Sequence, residues 1–294
     1  MNSESLYPIR VVSTKTEVNS STLRAWERRY GLIKPERTPK GHRLYSDKSI
    51  EKIYRIKELL KDGHSFVSIK QLLNSNTKSN QFNGEELEDL WEDKIIRVKT
   101  AVEDFSFNRI DALYNEATSL YPMDIVFEKL VEPLLKHHIN NKGSAESGFF
   151  NKWLQIRLTS RFHHDNSNSI DAKKIIFLSS AKDETLLMLI CNMIIAQGYQ
   201  ALFFASLLPF DDLARVAQRS AAKAVVMLTN DEFIKGNPKI NDIFNQLKIP
   251  IFVFSSDQQK IYTEIEKSKA IMLGGNKAIG VNLFKKHMHN IYHE

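Results

Sequence analysis

Cysteine is nearly absent: Cys191 stands alone among 294 residues. No internal disulfide can form, and a reducing cytosol suits such a chain. Long apolar runs are missing too; none approaches the ~20 residues that a membrane-spanning helix needs. The opening residues, MNSESLYPIR, lack the charged-then-apolar pattern of a secretory leader. A cytoplasmic protein with no membrane partner is therefore expected. Glycine is sparse, with 11 residues, and none of it forms G-x-x-x-x-G-K-[ST], G-x-G-x-x-G or G-x-S-x-G. That removes phosphate-cradling loops and the nucleophile elbow. Cys191 lies inside the apolar run LLMLICNMII, where a thiol is buried and inert. No enzymatic activity has residues to carry it. The adjacent pairs His137-His138 and His163-His164, and His287, His289 and His293 on one stretch, come without cysteine. They read as surface residues near helix ends rather than as a metal site.

What the chain does have is an uneven charge. Its net charge is +6, yet residues 1–75 hold 15 Lys and Arg against 8 Asp and Glu, while the remainder holds 26 against 27. The whole positive excess sits in the first quarter. Lysine and arginine release counterions from a phosphate backbone, so a polyanion is the simplest partner for that quarter.

The pattern divides the chain into three parts, residues 1–75, 85–165 and 172–294. In the first, 8–16 reads as a short helix that starts with a proline. A polar turn and a serine cap (Ser20 or Ser21) lead into TLRAWERRYGL, closed by Gly31. RTPKGHRLYS, with Gly41 at its tip, reads as a β-hairpin. Ser46 or Asp47 caps a helix over 48–62, and a short helix follows Gly63. A polar linker over 74–84 separates this part from an all-helical one, with helices from 85 and over 108–119, 123–138 and 146–163. From 173, strand-length apolar runs alternate with amphipathic helices: KIIFLS, ALFFAS, AVVMLT, IPIFVFS and AIMLG. Five βα units predict a parallel sheet covered on both faces, the doubly wound, flavodoxin-like pattern.

The stretch TLRAWERRYGLIKPERTPKGHRLYS resembles the signature of the MerR family of transcription regulators. That signature is a recognition helix ending E-x-R-Y-G-L, then a wing with R-x-x-x-G-x-R-x-Y. The resemblance implies an N-terminal all-α winged helix-turn-helix bound to double-stranded promoter DNA. The chain would act as a homodimer or higher homo-oligomer, because one module buries too little DNA for tight binding. RNA polymerase is a further expected partner. Ser20, Ser21, Thr22 and Arg24 at the start of the recognition helix are expected at base edges and phosphates, with Arg28 on the backbone. Arg37, Lys40, His42, Arg43 and Tyr45 of the wing are expected to clamp phosphates. Trp26 is expected in the core.

A helical bundle followed by a flavodoxin-like domain resembles the cobalamin-binding, light-responsive MerR branch of the CarA, CarH and LitR regulators. Leu208-Pro209-Phe210-Asp211-Asp212-Leu213 is similar to a stretch of their cobalamin-binding domains. That branch binds cobalt through [DE]-x-H-x-x-G, whose three key positions fall here at Ala181, Asp183 and Leu186. Its Trp and Glu-His pair over the upper cobalt face fall at Asn140, Phe150 and Asn151. A carboxylate replaces the cobalt-binding imidazole, and Ala181 stands where an acidic residue would orient that ring. The expectation is a retained scaffold with a lost cofactor site. A cobalamin-dependent light sensor is the alternative.

Overall fold

The computed structural model describes residues 5–74, 85–141, 143–167, 172–180, 184–237, 240–255, 265 and 268–293. They divide into two units, Met1–Phe150 and Asn151–Glu294. Among the described residues no helix is long and apolar enough to cross a membrane.

The first unit begins with β1 (Leu6–Pro8), α1 (Ile9–Thr16) and α2 (Ser20–Ala25), which runs on through a π-helical turn, Trp26–Tyr30. Strands β2 (Glu36–Arg37) and β3 (Arg43–Ser46) follow, then α3 (Asp47–Lys61) and α4 (Phe66–Asn74). The hairpin is thus the outer part of a three-stranded antiparallel sheet of order β1-β3-β2, with Tyr7 opposite Tyr45 and Arg37 opposite Arg43. Strand β1 escapes the sequence because three residues are too few to show an alternating pattern. Gly31 (φ 61°) ends the recognition helix and Gly41 (φ 81°) turns the wing tip, both in the left-handed region that favours glycine. Ser46, not Asp47, caps α3, its hydroxyl accepting from the Ser49 amide at 3.3 Å. Ser20 and Ser21 lie inside α2, after Asn19 at the cap position. Val12, Leu23, Trp26, Leu32, Ile53 and Ile69 form the core, each large side chain contributing about 1.5–3 kcal/mol by leaving water.

Helices α5 (Glu85–Glu103), α6 (Phe107–Leu120) and α7 (Met123–Val126) come next. A second π-helical turn, Phe127–Val131, joins α7 to α8 (Glu132–Asn140). Pro133 lies in the first turn of α8 and lacks the amide that a regular helix would use there, which accounts for a widened turn just before it. Helix α9 (Ala145–Ser167) carries the chain from the first unit into the second.

The second unit is the α/β part. Strands β4 (Lys174–Ser179), β5 (Gln200–Phe203), β6 (Ala224–Thr229), β7 (Ile251–Ser255) and β8 (Ile271–Gly274) form one parallel sheet in the order β5-β4-β6-β7-β8. This is the flavodoxin-like order. Helices α10 (Glu184–Ile195), α11 (Phe210–Ser220), α12 (Asp231–Gly236), α13 (Ile240–Gln246) and α14 (Lys277–His293) complete the unit. Every residue of β6 and β7 is buried, as continuous apolar runs require. Every residue of α10 from Leu187 to Ile195 is buried as well, Cys191 among them. Asn166 of α9 treats edge strand β5 as a neighbouring strand would. Its amide accepts from the Ala201 N–H at 2.7 Å and donates to the Ala201 carbonyl at 3.1 Å. Gly280 of α14 permits close packing: a Cβ there would lie 2.4 Å from the Phe254 ring.

Candidate nucleic-acid interface

On α2 the residues Ser21, Arg24 and Arg28 are exposed and follow one another at i, i+3 and i+7, so they share a face. Arg29 is exposed as well, and Ser20 is half-buried. On the wing, Arg37, Lys40 and His42 are exposed and Arg43 is half-buried. The His42 carbonyl accepts from the Thr38 amide at 2.9 Å, and the Gly41 amide donates to the Thr38 carbonyl at 2.8 Å, so the tip is a closed turn.

Glu27 joins the two elements. One carboxylate oxygen accepts from Arg37 Nη2 at 2.8 Å and the other from Arg43 Nε at 2.5 Å. Its side chain is 16% exposed. The recognition helix therefore fixes the position of two wing cations through one acid, an arrangement that gives geometry as well as charge. Glu27 was not among the expected site residues, because its partners lie 10 and 16 positions along the chain.

Two expected DNA contacts are corrected by burial. Thr22 is completely buried, and its hydroxyl donates to the Thr118 carbonyl at 3.3 Å. It sits on the face of α2 opposite the arginines. Tyr45 is also completely buried, although on β3 it shares a face with the half-buried Arg43 two residues before it. Its hydroxyl has no hydrogen-bond partner among the described residues. Burial, then the neighbouring Glu27 carboxylate, push the phenol up to about 12.

The buried face of α2 rests on the end of α6. Trp26 Nε1 donates to the Leu120 carbonyl at 2.9 Å, alongside the Thr22–Thr118 bond. The last four carbonyls of a helix have no partner within it, and they form the negative end of its dipole. Trp26 and Thr22 each satisfy one of them. An aromatic series continues the contact: Tyr30 stacks on Phe66 at 4.1 Å, Phe66 meets Tyr121 at 5.1 Å, and Tyr121 meets Trp91 of α5 at 4.8 Å. Lys57 of α3 pairs with Glu17 at 3.1 Å and Asp124 at 3.4 Å, and Lys61 pairs with Asp124 at 3.1 Å.

The positions aligned with the cobalamin branch are less uniform. Ala181 and Asp183 lie outside the described residues. Leu186 is half-buried in the first turn of α10, Asn140 ends α8, and Asn151 is exposed on α9. Phe150 is completely buried and stacks on His138 at 4.5 Å.

Residues 7–76, which hold this helix and wing, match the model of the MerR HTH family regulatory proteins. The chain is similar to the HTH-type transcriptional regulator MlrA of Escherichia coli (strain K12), at 35% identity over 129 residues, 44% of this chain and 50% of that protein. It is also similar to the HTH-type transcriptional repressor CarH of Myxococcus xanthus, at 36% identity over 70 residues, 24% of this chain and 23% of that protein. The chain thus spans half or less of the length of these relatives. Among solved structures, the Methanosarcina barkeri monomethylamine corrinoid protein has a TM-score of 0.51 at 13% identity, covering 67% of this chain and 99% of that one. At that identity the likeness is one of fold.

Proposed function

We propose that this chain is a sequence-specific, non-enzymatic transcription regulator that binds double-stranded promoter DNA as a homodimer or higher homo-oligomer in the cytoplasm. In this reading, DNA recognition resides in residues 1–75. The observation that carries the reading is the exposed Ser21-Arg24-Arg28 face beside Arg37, Lys40, His42 and Arg43, with Glu27 holding two of the wing arginines. The helix face reads base edges while the wing cations meet phosphates. The regulator and repressor names of the relatives support the same reading.

Paired substitutions in the full-length protein test it. Arg43→Ala removes a phosphate contact, so affinity should fall for every sequence and the salt slope should flatten by about one unit. Glu27→Gln gives the more telling sign. If the acid merely repelled phosphate, its removal would tighten binding. Because it positions Arg37 and Arg43, binding should instead weaken by about fivefold, about 1 kcal/mol. Tighter binding by Glu27→Gln, or wild-type affinity and salt slope in Arg43→Ala, would remove the wing from the interface.

This reading takes regulation to be independent of cobalamin. The donor set supports it. After β4 the sequence reads Ser180-Ala181-Lys182-Asp183, with no histidine, and the Ser180 hydroxyl lies 2.7 Å from Thr229 Oγ1. These residues do not fit a cobalt ion that needs a neutral imidazole held by a neighbour. The second reading, a cobalamin-dependent light-sensing regulator, draws on the corrinoid-protein fold of the second unit. Visible spectra after addition of adenosylcobalamin separate the two. The expected result is no histidine-ligated spectrum and the same DNA affinity in dark and light; the opposite result establishes the second reading.

A further inference from the structure

A cavity of about 320 Å³ opens in the helical bundle between α5, α8 and the start of α9, with Lys99, Glu103, His137, His138 and Glu146 on its walls. Its hydrogen-bond accounting is incomplete at one atom. The His138 side chain is buried, 3% exposed, and one ring face lies on Phe150. Its Nδ1 lies 3.3 Å from Ser147 Oγ. That hydroxyl has a single proton, and the carbonyls of Asn141 (2.9 Å) and His138 (3.2 Å) both lie within its reach. With the proton directed to a carbonyl, Ser147 turns a lone pair toward Nδ1, which must then carry the ring hydrogen. Burial, followed by His137 and Lys99, lowers the His138 pKa to about 4, so the ring is neutral at physiological pH. Nε2 is left as a buried acceptor with no hydrogen-bond partner among the described residues. A buried acceptor of this kind is costly unless a donor reaches it.

The other walls narrow the donor. Lys99 is half-buried, and no carboxylate among the described residues forms an ion pair with it. It offers a cation to an acid. Glu103 and Glu146 disfavour a polyanion such as a phosphate ester and favour an ammonium group. Among the described residues no three His, Cys, Asp or Glu side chains are grouped to hold a metal ion. The volume lies at the small end of ligand sites.

We propose that this cavity binds a small amino carboxylic acid, of the α-amino acid class. Its carboxylate pairs with Lys99, and its ammonium donates to His138 Nε2 and faces the two glutamates. The site lies on α5, the helix that carries Trp91 and Lys94, and so on the element that meets Tyr121 and, through Lys94–Glu116 at 2.9 Å, α6.

The test is made on the full chain without DNA, so its outcome is separate from that of the DNA-binding reading. Each common L-amino acid is titrated by calorimetry, and the His138 ring nitrogens are followed by long-range proton–nitrogen NMR. At least one amino acid should bind saturably, moving the Nε2 resonance toward a hydrogen-bonded position. His138→Phe, which keeps the stacking on Phe150, and Lys99→Met on the half-buried wall should each weaken binding by about tenfold or more. If His138→Phe does not fold, Lys99→Met and the wild-type Nε2 resonance still decide the point. The proposal is overturned if no amino acid binds at millimolar concentration, if binding leaves Nε2 unmoved, or if Lys99→Met binds as wild type does.

Discussion

Replacing Trp26 with alanine should destabilise the first unit by about 3–5 kcal/mol, the usual cost of emptying a large aromatic site in a core. The indole is completely buried and its N–H caps a carbonyl at the end of α6. The substitution therefore removes packing from the helix-turn-helix and leaves the Leu120 carbonyl unsatisfied. Trp26→Phe separates the two effects. It keeps most of the apolar volume and loses the hydrogen bond, so about 1–3 kcal/mol should go. Denaturant unfolding of the full chain, followed by circular dichroism, measures both. A loss below about 1 kcal/mol in Trp26→Ala would mean that the recognition helix does not rest on α6 in solution.

Arg24→Ala should relax sequence preference at one base pair per half-site, with a loss of about 1–3 kcal/mol in discrimination. Arg24 is exposed near the start of α2, where a recognition helix meets base edges. Non-specific affinity should fall far less than specific affinity. Thr22 supplies the contrast, because its hydroxyl is buried against α6. Thr22→Val should leave sequence preference as it is and lower stability through the lost hydrogen bond. Selection of bound sequences from a random DNA pool reads preference directly. A uniform loss across all sequences in Arg24→Ala would place that side chain on the backbone instead, and altered preference in Thr22→Val would return Thr22 to the interface.

Much of this molecule is legible in local pattern, because local pattern is what secondary structure responds to. The 3.6-residue spacing in α3, the strand-length apolar runs of β4, β6 and β7, and the turn glycines Gly31 and Gly41 all act within a few residues. So does the clustering of basic residues that sets the first quarter apart from the rest of the chain. Thr22 shows where local pattern stops. Side by side with Ser21 and Arg24, it has the same polar character, yet a carbonyl 96 positions along the chain claims its hydroxyl. Periodicity identifies the opposite faces of a short helix but not what covers each. Tyr45 is similar: a phenol next to arginines reads as a phosphate contact, yet the folded chain buries it completely.

The same reason governs the rest. Glu27 reaches Arg37 and Arg43 because the chain reverses at Gly31 and again at Gly41, bringing residues 10 and 16 positions away to one carboxylate. The open Nε2 of His138 depends on how Ser147, nine positions on, spends its single proton. Element type and the sign of each surface follow from neighbouring residues. Which polar group meets which, and which is left without a partner, depends on the packing of helices that are distant in sequence, because a hydrogen bond needs atoms within about 3 Å and only the folded chain brings them there.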